Sequence, residues 1–115
     1  MTDRLVRMVN DVRADHGCEP VTVDERIERA ASKHSADMAE RDYFSHDTPD
    51  GVGFEERIRD EGYPRPGAEN IAKGYRSAAD VMAGWMDSDG HRANILNCDL
   101  TTVGVGLDTD GWLWT

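Results

Sequence analysis

The sequence predicts an α+β sandwich, and three observations predict it. Apolar residues recur at helical spacing in separate runs, most of them flanked by helix-capping residue types. Apolar and polar residues alternate only near the end of the chain, on either side of a turn-forming Asp108-Thr-Asp-Gly111. A chain of 115 residues cannot supply a second set of periodic segments, so helices, a short meander and loops must share one core.

The elements follow in order. Leu5, Met8, Val9 and Val12 recur at helical spacing behind Thr2 and Asp3, both good N-cap types, and Gly17 ends this first helix. Thr22-Val-Asp-Glu25 reads as a capping box for a second helix running to about Arg41, with Ile27, Ala30, Ala31, His34 and Met38 on one face. After Asp50-Gly51 and Gly53, a short helix over Phe54–Asp60 is stopped by Gly62, and Pro64 and Pro66 prevent its resumption. The segment after Pro66 reads as extended. Ser77-Ala-Ala-Asp80 caps a fourth helix that puts Ala78, Val81, Met82, Trp85 and Ser88 on one face. Gly90 is expected to reverse the chain before His91 opens one more short helix, with Ser88 or Asp89 as its cap. Thr102 to Leu107 alternates around Val103 and Val105, and Trp112–Thr115 is the returning strand.

Composition excludes some partners. The formal charge of −10 opposes binding to phosphate backbones and anionic lipid heads, so nucleic acid is not expected as a partner. Asp outnumbers Glu by 15 to 8 and Arg outnumbers Lys by 11 to 2, an acidic, halophilic-like balance that suits high salt as well as it suits an ordinary acidic protein. Apolar stretches are broken by charge within a few residues, so neither a membrane span nor the apolar part of a signal peptide is expected. Cys18 and Cys98 stand 80 positions apart, which excludes a CxxC pattern and leaves a disulfide or two buried thiols.

Four histidines are candidates for chemistry. His46 and His91 sit in polar, Gly- or Ser-containing segments and read as ligands or acid–base groups, although a lone loop histidine is more often a capping or surface residue. His34, on the apolar face of the second helix, reads as a packed residue satisfied by a neighbour. His16, at the end of the first helix, suits the helix dipole. Glu69 begins an apolar segment and needs a partner if buried, whether a site ligand or one of the eleven arginines. Asn70 beside it can pin backbone groups. Ser88, three residues before His91, invites a nucleophile reading, but spacing specifies neither an orienting acid nor an oxyanion hole.

Six segments taken in order resemble the CAP superfamily, the SCP domain of cysteine-rich secretory proteins, antigen 5 and pathogenesis-related 1 proteins, in its smaller prokaryotic form. They are Leu5–Arg13, Ala30–Ala39, Tyr43-Phe-Ser-His46, Ala68-Glu-Asn-Ile-Ala72, Trp85–Leu96 and Val103-Gly-Val-Gly106, and they span almost the whole chain. The resemblance implies a CAP-type α-β-α sandwich with a small antiparallel sheet packed between helices. It implies one domain over residues 1–115 that lacks its last few strand residues. It implies a cleft lined by His46, Glu69, Asn70 and His91, with Ser88 where many relatives carry a second glutamate. His46 and His91 would then hold a divalent cation, zinc among the candidates, with Glu69 as a third ligand or linked through water. It also implies a Cys18–Cys98 disulfide and export.

The functional expectation is an extracellular or cell-surface binding domain, more non-catalytic than catalytic and monomeric, whose cleft takes a small lipophilic ligand or a partner protein. The alternative is a metal-assisted hydrolase or peptidase in which His46, His91 and Glu69 activate water. A third reading is a plain surface-interaction module. Met82, Trp85 and Met86 would line an apolar groove or simply belong to the core.

Overall fold

A computed structural model describes residues 1–115, in the order α1 (Thr2–Asp15), β1 (Thr22–Val23), α2 (Glu25–Glu40), α3 (Phe54–Asp60), β2 (Ala72–Lys73), α4 (Ala78–Met86), α5 (Asp89–Ile95), β3 (Thr102–Val103), β4 (Leu107–Asp108) and β5 (Leu113–Trp114). The strands β2, β5 and β4 form an antiparallel sheet in that order, with Ala72 opposite Trp114 and Leu107 opposite Trp114 on the other side. Successive side chains of β5 leave the sheet on opposite faces. Trp114 is fully buried with Leu5, Val9, Val81 and Trp85 from α1 and α4, whereas Leu113 packs with Met38 of α2 and Ile71. The α-β-α sandwich is the direct result of that alternation.

The helix boundaries follow from local chemistry, with three corrections to the sequence reading. Helix α1 begins one residue early: Met1 is its N-cap and no side chain caps it, so neither Thr2 nor Asp3 has that role. Thr22 does not cap α2. The cap is Asp24, whose carboxylate accepts from the Arg26 N–H, because Thr22 and Val23 are drawn into a parallel ladder with Thr102 and Val103. Helix α5 starts at Asp89 with Ser88 as N-cap, so Gly90 lies inside the first turn and reverses nothing. The expected cap of α4 is present, Ser77 Oγ accepting from the Asp80 N–H at 3.1 Å. Met82 and Trp85 are core, and the Trp85 indole N–H donates to the Ile71 carbonyl at 3.1 Å.

Two glycines let the chain pass close to α2. A Cβ on Gly104 would collide with the backbone of Ile27 and Glu28, and one on Gly106 with the backbone of Ala31 and Ser32. Between and around them the alternation expected over residues 102–107 is only partly laddered. Gly106 and Thr115 exchange both backbone hydrogen bonds, whereas Gly104 and Val105 make none. That unpaired edge borders a cavity of about 610 Å³ whose walls mix apolar side chains, Leu5, Ile27, Ile58 and Leu100 among them, with the polar Arg57, Glu69 and Asn70.

The end of α1 is fastened twice. Cys18 and Cys98 form a disulfide with Cα atoms 4.9 Å apart. Arg13, 1% exposed, donates to the carbonyls of Glu19, Ile95, Asn97 and Leu100 at 2.8–3.0 Å. A buried guanidinium without a carboxylate is thus satisfied by four peptide dipoles, among them the Ile95 carbonyl at the end of α5. No helix is long and apolar enough to cross a membrane.

Candidate functional site

His46, Glu69 and Arg57 form the centre of the site. The segment Tyr43–His46 leaves the end of α2 and is held from beneath by His34, whose Nε2 lies 2.8 Å from the Ser45 carbonyl. His34 is 1% exposed, and burial, with the nearby charge of Arg57, pushes its imidazole below the ordinary histidine value. On the other side of its ring stands the Tyr43 hydroxyl, which donates to Asp37 at 2.5 Å; burial and that carboxylate push the phenol up to about 12. The packing role expected for His34 is what it has, and its partner is the backbone of the segment that carries His46.

Glu69 is nearly enclosed, its side chain 6% exposed. Oε1 accepts from His46 Nδ1 at 2.8 Å and from Arg57 Nη2 at 2.9 Å, and Oε2 accepts from Arg57 Nη1 at 2.9 Å. The same Nη2 reaches the His46 carbonyl at 2.7 Å. A carboxylate oxygen engaged by arginine accepts, so His46 carries a proton on Nδ1, and its Nε2 makes no hydrogen bond. Arg57 lies on α3, twelve residues before Glu69, and its Nε is a buried donor without a partner. Sequence reasoning foresaw an arginine partner for Glu69 but did not single out Arg57; its only sequence signal is a mid-helix position between Glu56 and the buried Ile58.

The asparagines tie α5 to this centre. Asn70 Nδ2 donates to the His91 carbonyl at 3.1 Å, and Asn94 Nδ2 donates to Asn70 Oδ1 at 2.9 Å with a longer 3.5 Å contact to the Glu69 carbonyl. Asn94 was not among the residues picked out in the sequence. His91 sits in the first turn of α5, close enough to His46 that a charge there opposes its protonation; burial acts first and in the same direction, lowering the His91 value. Ser88 is the N-cap of α5 and makes no cap hydrogen bond with its side chain. The structure therefore brings His46, Glu69, Asn70 and His91 into one assembly, with Ser88 one turn of chain away and bonded to none of them.

An open cleft of about 620 Å³ lies over His46 and Glu69, walled also by Asn94, Asp47, Phe54, Glu55, Glu56 and Arg59, while Asn70 and His91 lie outside its walls. Its polar wall suits recognition of polar groups. Neither histidine is hydrogen-bonded to a serine, threonine or cysteine, so no activated nucleophile is assembled. Both oxygens of Glu69 are engaged, so it is not free to act as a general base. Tested against a resident divalent cation, the residues supply at most the unbonded Nε2 of His46 and the ring of His91. They do not fit a closed metal site, because no three His, Cys, Asp or Glu side chains come together.

Comparisons with known proteins agree with this fold. The model of the "Cysteine-rich secretory protein family", CAP, matches residues 6–114. The uncharacterised protein YkwD of Bacillus subtilis is 35% identical over 113 residues, covering 97% of this chain and 44% of the relative. The uncharacterised membrane protein YlbC of the same organism is 35% identical over 107 residues, covering 91% of this chain and 31% of the relative. This chain thus spans less than half the length of either. Among solved structures, an extracellular protein containing an SCP domain from Bacillus anthracis superposes with a TM-score of 0.88 at 31% identity, over 97% of this chain and 38% of that one. An outer surface protein of Borrelia burgdorferi gives a TM-score of 0.88 at 19% identity, over 98% of this chain and 86% of that one, a likeness of fold alone.

Proposed function

Because this chain belongs to the cysteine-rich secretory protein family, CAP, we propose that it is an extracellular or cell-surface binding domain whose polar cleft recognises a partner protein or a small ligand. The observation that carries this reading is the engagement of Glu69. With its carboxylate held by Arg57 and His46, the cleft presents hydrogen-bonding groups at fixed positions, and its buried carboxylate is not available as a base. The Cys18–Cys98 bridge supports an oxidising compartment, and the Bacillus anthracis relative is described as extracellular.

His46 and His91 would hold a divalent cation at the edge of this cleft, zinc being the test ion, with Glu69 as the outer partner of His46. Such an ion would supply a positive anchor for an acidic or carbonyl group of the partner. Calorimetric titration of Zn²⁺ near neutral pH is expected to show exchangeable binding that disappears in His46→Ala and in His91→Ala. Binding should also fade as pH falls, because a protonated imidazole cannot ligate. Equal affinity in the wild type and both variants would remove the cation from this reading. Turnover of a peptide or ester that disappears with the same histidines would replace it by the hydrolase alternative.

The cavity beside Gly104 adjoins the cleft, sharing Gly67, Ala68, Glu69 and Asn94 with it, and offers room for a second occupant. A lipophilic ligand would fit its side-chain walls, but the unpaired backbone of Gly104 and Val105 suits an extended polypeptide better, because only a strand supplies the missing donors and acceptors. The ladder already set by Gly106 and Thr115 puts a segment that continues β5 in register with Gly104. Chains lengthened after Thr115 by four alternating apolar and polar residues are expected to melt higher than the 115-residue chain, and an unchanged Tm would leave the cavity to a lipophilic ligand.

A further inference from the structure

The cavity beside Gly104 is bordered by two strand edges, not one. We propose that it is a slot for an extended segment of a partner protein, held between Gly104 and Asn70 by main-chain pairing, in which Arg57 selects a neutral acceptor side chain at the second residue of the segment. The inference rests on the reading of this cavity as a strand site and adds its second edge and the residue that makes it selective.

The register of β5 fixes what an inserted strand would meet. Trp114 lies opposite Ala72 on one side and Leu107 on the other, both antiparallel. Continued along the same line, the first position beyond Thr115 falls between Asn70 and Val105, and the second between Glu69 and Gly104. An antiparallel strand turns its hydrogen bonds to its two neighbours alternately. Thr115 exchanges both of its bonds with Gly106, so the first position beyond it turns to Asn70 and the second to Gly104. Those are the residues left open: Gly104 makes no hydrogen bond, and Asn70 bonds only through its side chain, to the His91 carbonyl and to Asn94. Both line the cavity. Each offers an N–H and a carbonyl that a strand would satisfy and an apolar ligand would not.

Side chains alternate as well. Trp114 packs with Leu5 and Val9 of α1, whereas Thr115 turns to α2, its hydroxyl 2.8 Å from Ser35 Oγ. The first residue of an inserted strand therefore points to the apolar wall of α1. The second points to the opposite face, the one from which Glu69 reaches Arg57 on α3. Arg57 lines this cavity. Its terminal nitrogens are engaged by Glu69 and the His46 carbonyl, and its Nε is the one buried side-chain donor of the protein that has no partner. Leaving a buried N–H without an acceptor is destabilising, and an oxygen carried by the second residue would relieve it. Because Glu69 already balances the guanidinium, a neutral amide oxygen suits that place better than a second carboxylate.

The test is calorimetric titration of the 115-residue chain with two free peptides, acetyl-Val-Gln-Val-Thr-amide and acetyl-Val-Leu-Val-Thr-amide, beside two chains that carry the same four residues after Thr115. The Gln peptide is expected to bind saturably, to raise the Tm, and to bind about fivefold more tightly than the Leu peptide. Neither peptide should bind the lengthened chains, whose slot is filled. In Arg57→Lys, which keeps a charge for Glu69 but has no donor at the position of Nε, the two peptides should bind alike. Leu binding as tightly as Gln in the wild type, or a preference for Gln that survives Arg57→Lys, overturns the role of Arg57. If Arg57→Lys does not fold, the comparison of the two peptides on the wild type decides it. Lengthened chains that melt higher while neither free peptide binds would give the slot to a covalently attached strand and overturn the partner. Lengthened chains that melt no higher, with no peptide bound, would end the strand reading on which the proposal rests.

Discussion

His34 shows how one buried side chain makes the stability of this domain depend on pH. Its imidazole is enclosed, bonded to the Ser45 carbonyl, and held below the ordinary histidine value by burial and by Arg57. In the unfolded chain it titrates near 6.5. As pH falls through that value the unfolded state takes up a proton that the folded state resists. The contribution of His34 is therefore fully present above about 6.5 and is lost as pH drops toward the lower folded value. His91, shifted in the same direction by burial and by His46, adds to the slope. Thermal melts between pH 7.5 and pH 5 are expected to show a falling Tm in the wild type and a shallower fall in His34→Gln, which keeps a donor for Ser45 without a titrating ring. Parallel curves for the two proteins would contradict this account.

At the scale of elements, what the sequence reveals depends on whether a signal is local. Caps and stops are local: Ser77 at the start of α4, Gly53 and Gly62 around α3 and Gly17 after α1 all lie where residue type alone puts them. Gly17 and Gly62 have positive φ of +79° and +97°, which asks for a residue without a side chain. Thr22 is misread for the opposite reason. As a capping type it competes for the start of α2, but its neighbours in the fold are Thr101 and Thr102, about eighty positions away, and the ladder with them takes it. The close passage of Gly104 and Gly106 against α2 is likewise written in the glycines but not in any local pattern that names the helix they touch. The site divides in the same way. His46, Glu69, Asn70 and His91 were legible because their segments resemble a family, whereas Arg57 and Asn94 act only through contacts that exist once α3 and α5 are docked. A charged residue in the middle of a surface-type helix carries no mark of the partner it will meet.

For the molecule as a whole, the junction between α1 and the segment after α5 is secured in two physically different ways. Arg13 acts in the folded state, where its four carbonyl partners hold residues 19 and 95–100 against the end of the helix. The Cys18–Cys98 bridge, with a sequence separation of 80, acts chiefly on the unfolded state, whose freedom it reduces by closing a loop over most of the chain. Because the two act on different states, the Arg13 contacts do not make the bridge redundant. Loop-closure entropy for a ring of this length corresponds to roughly 4 kcal/mol of stability. That is a large share of the 5–15 kcal/mol typical of a domain. Urea unfolding of Cys18→Ala/Cys98→Ala is expected to show a stability loss of about that size. It should also show a steeper dependence on denaturant, since an unbridged unfolded chain exposes more surface. Arg13→Met with the bridge intact should lower the midpoint as well, through its four deserted carbonyls, but without the change in slope. An equal midpoint for bridged and unbridged proteins would mean that the unfolded chain is already compact around this junction, and the entropic account would fail.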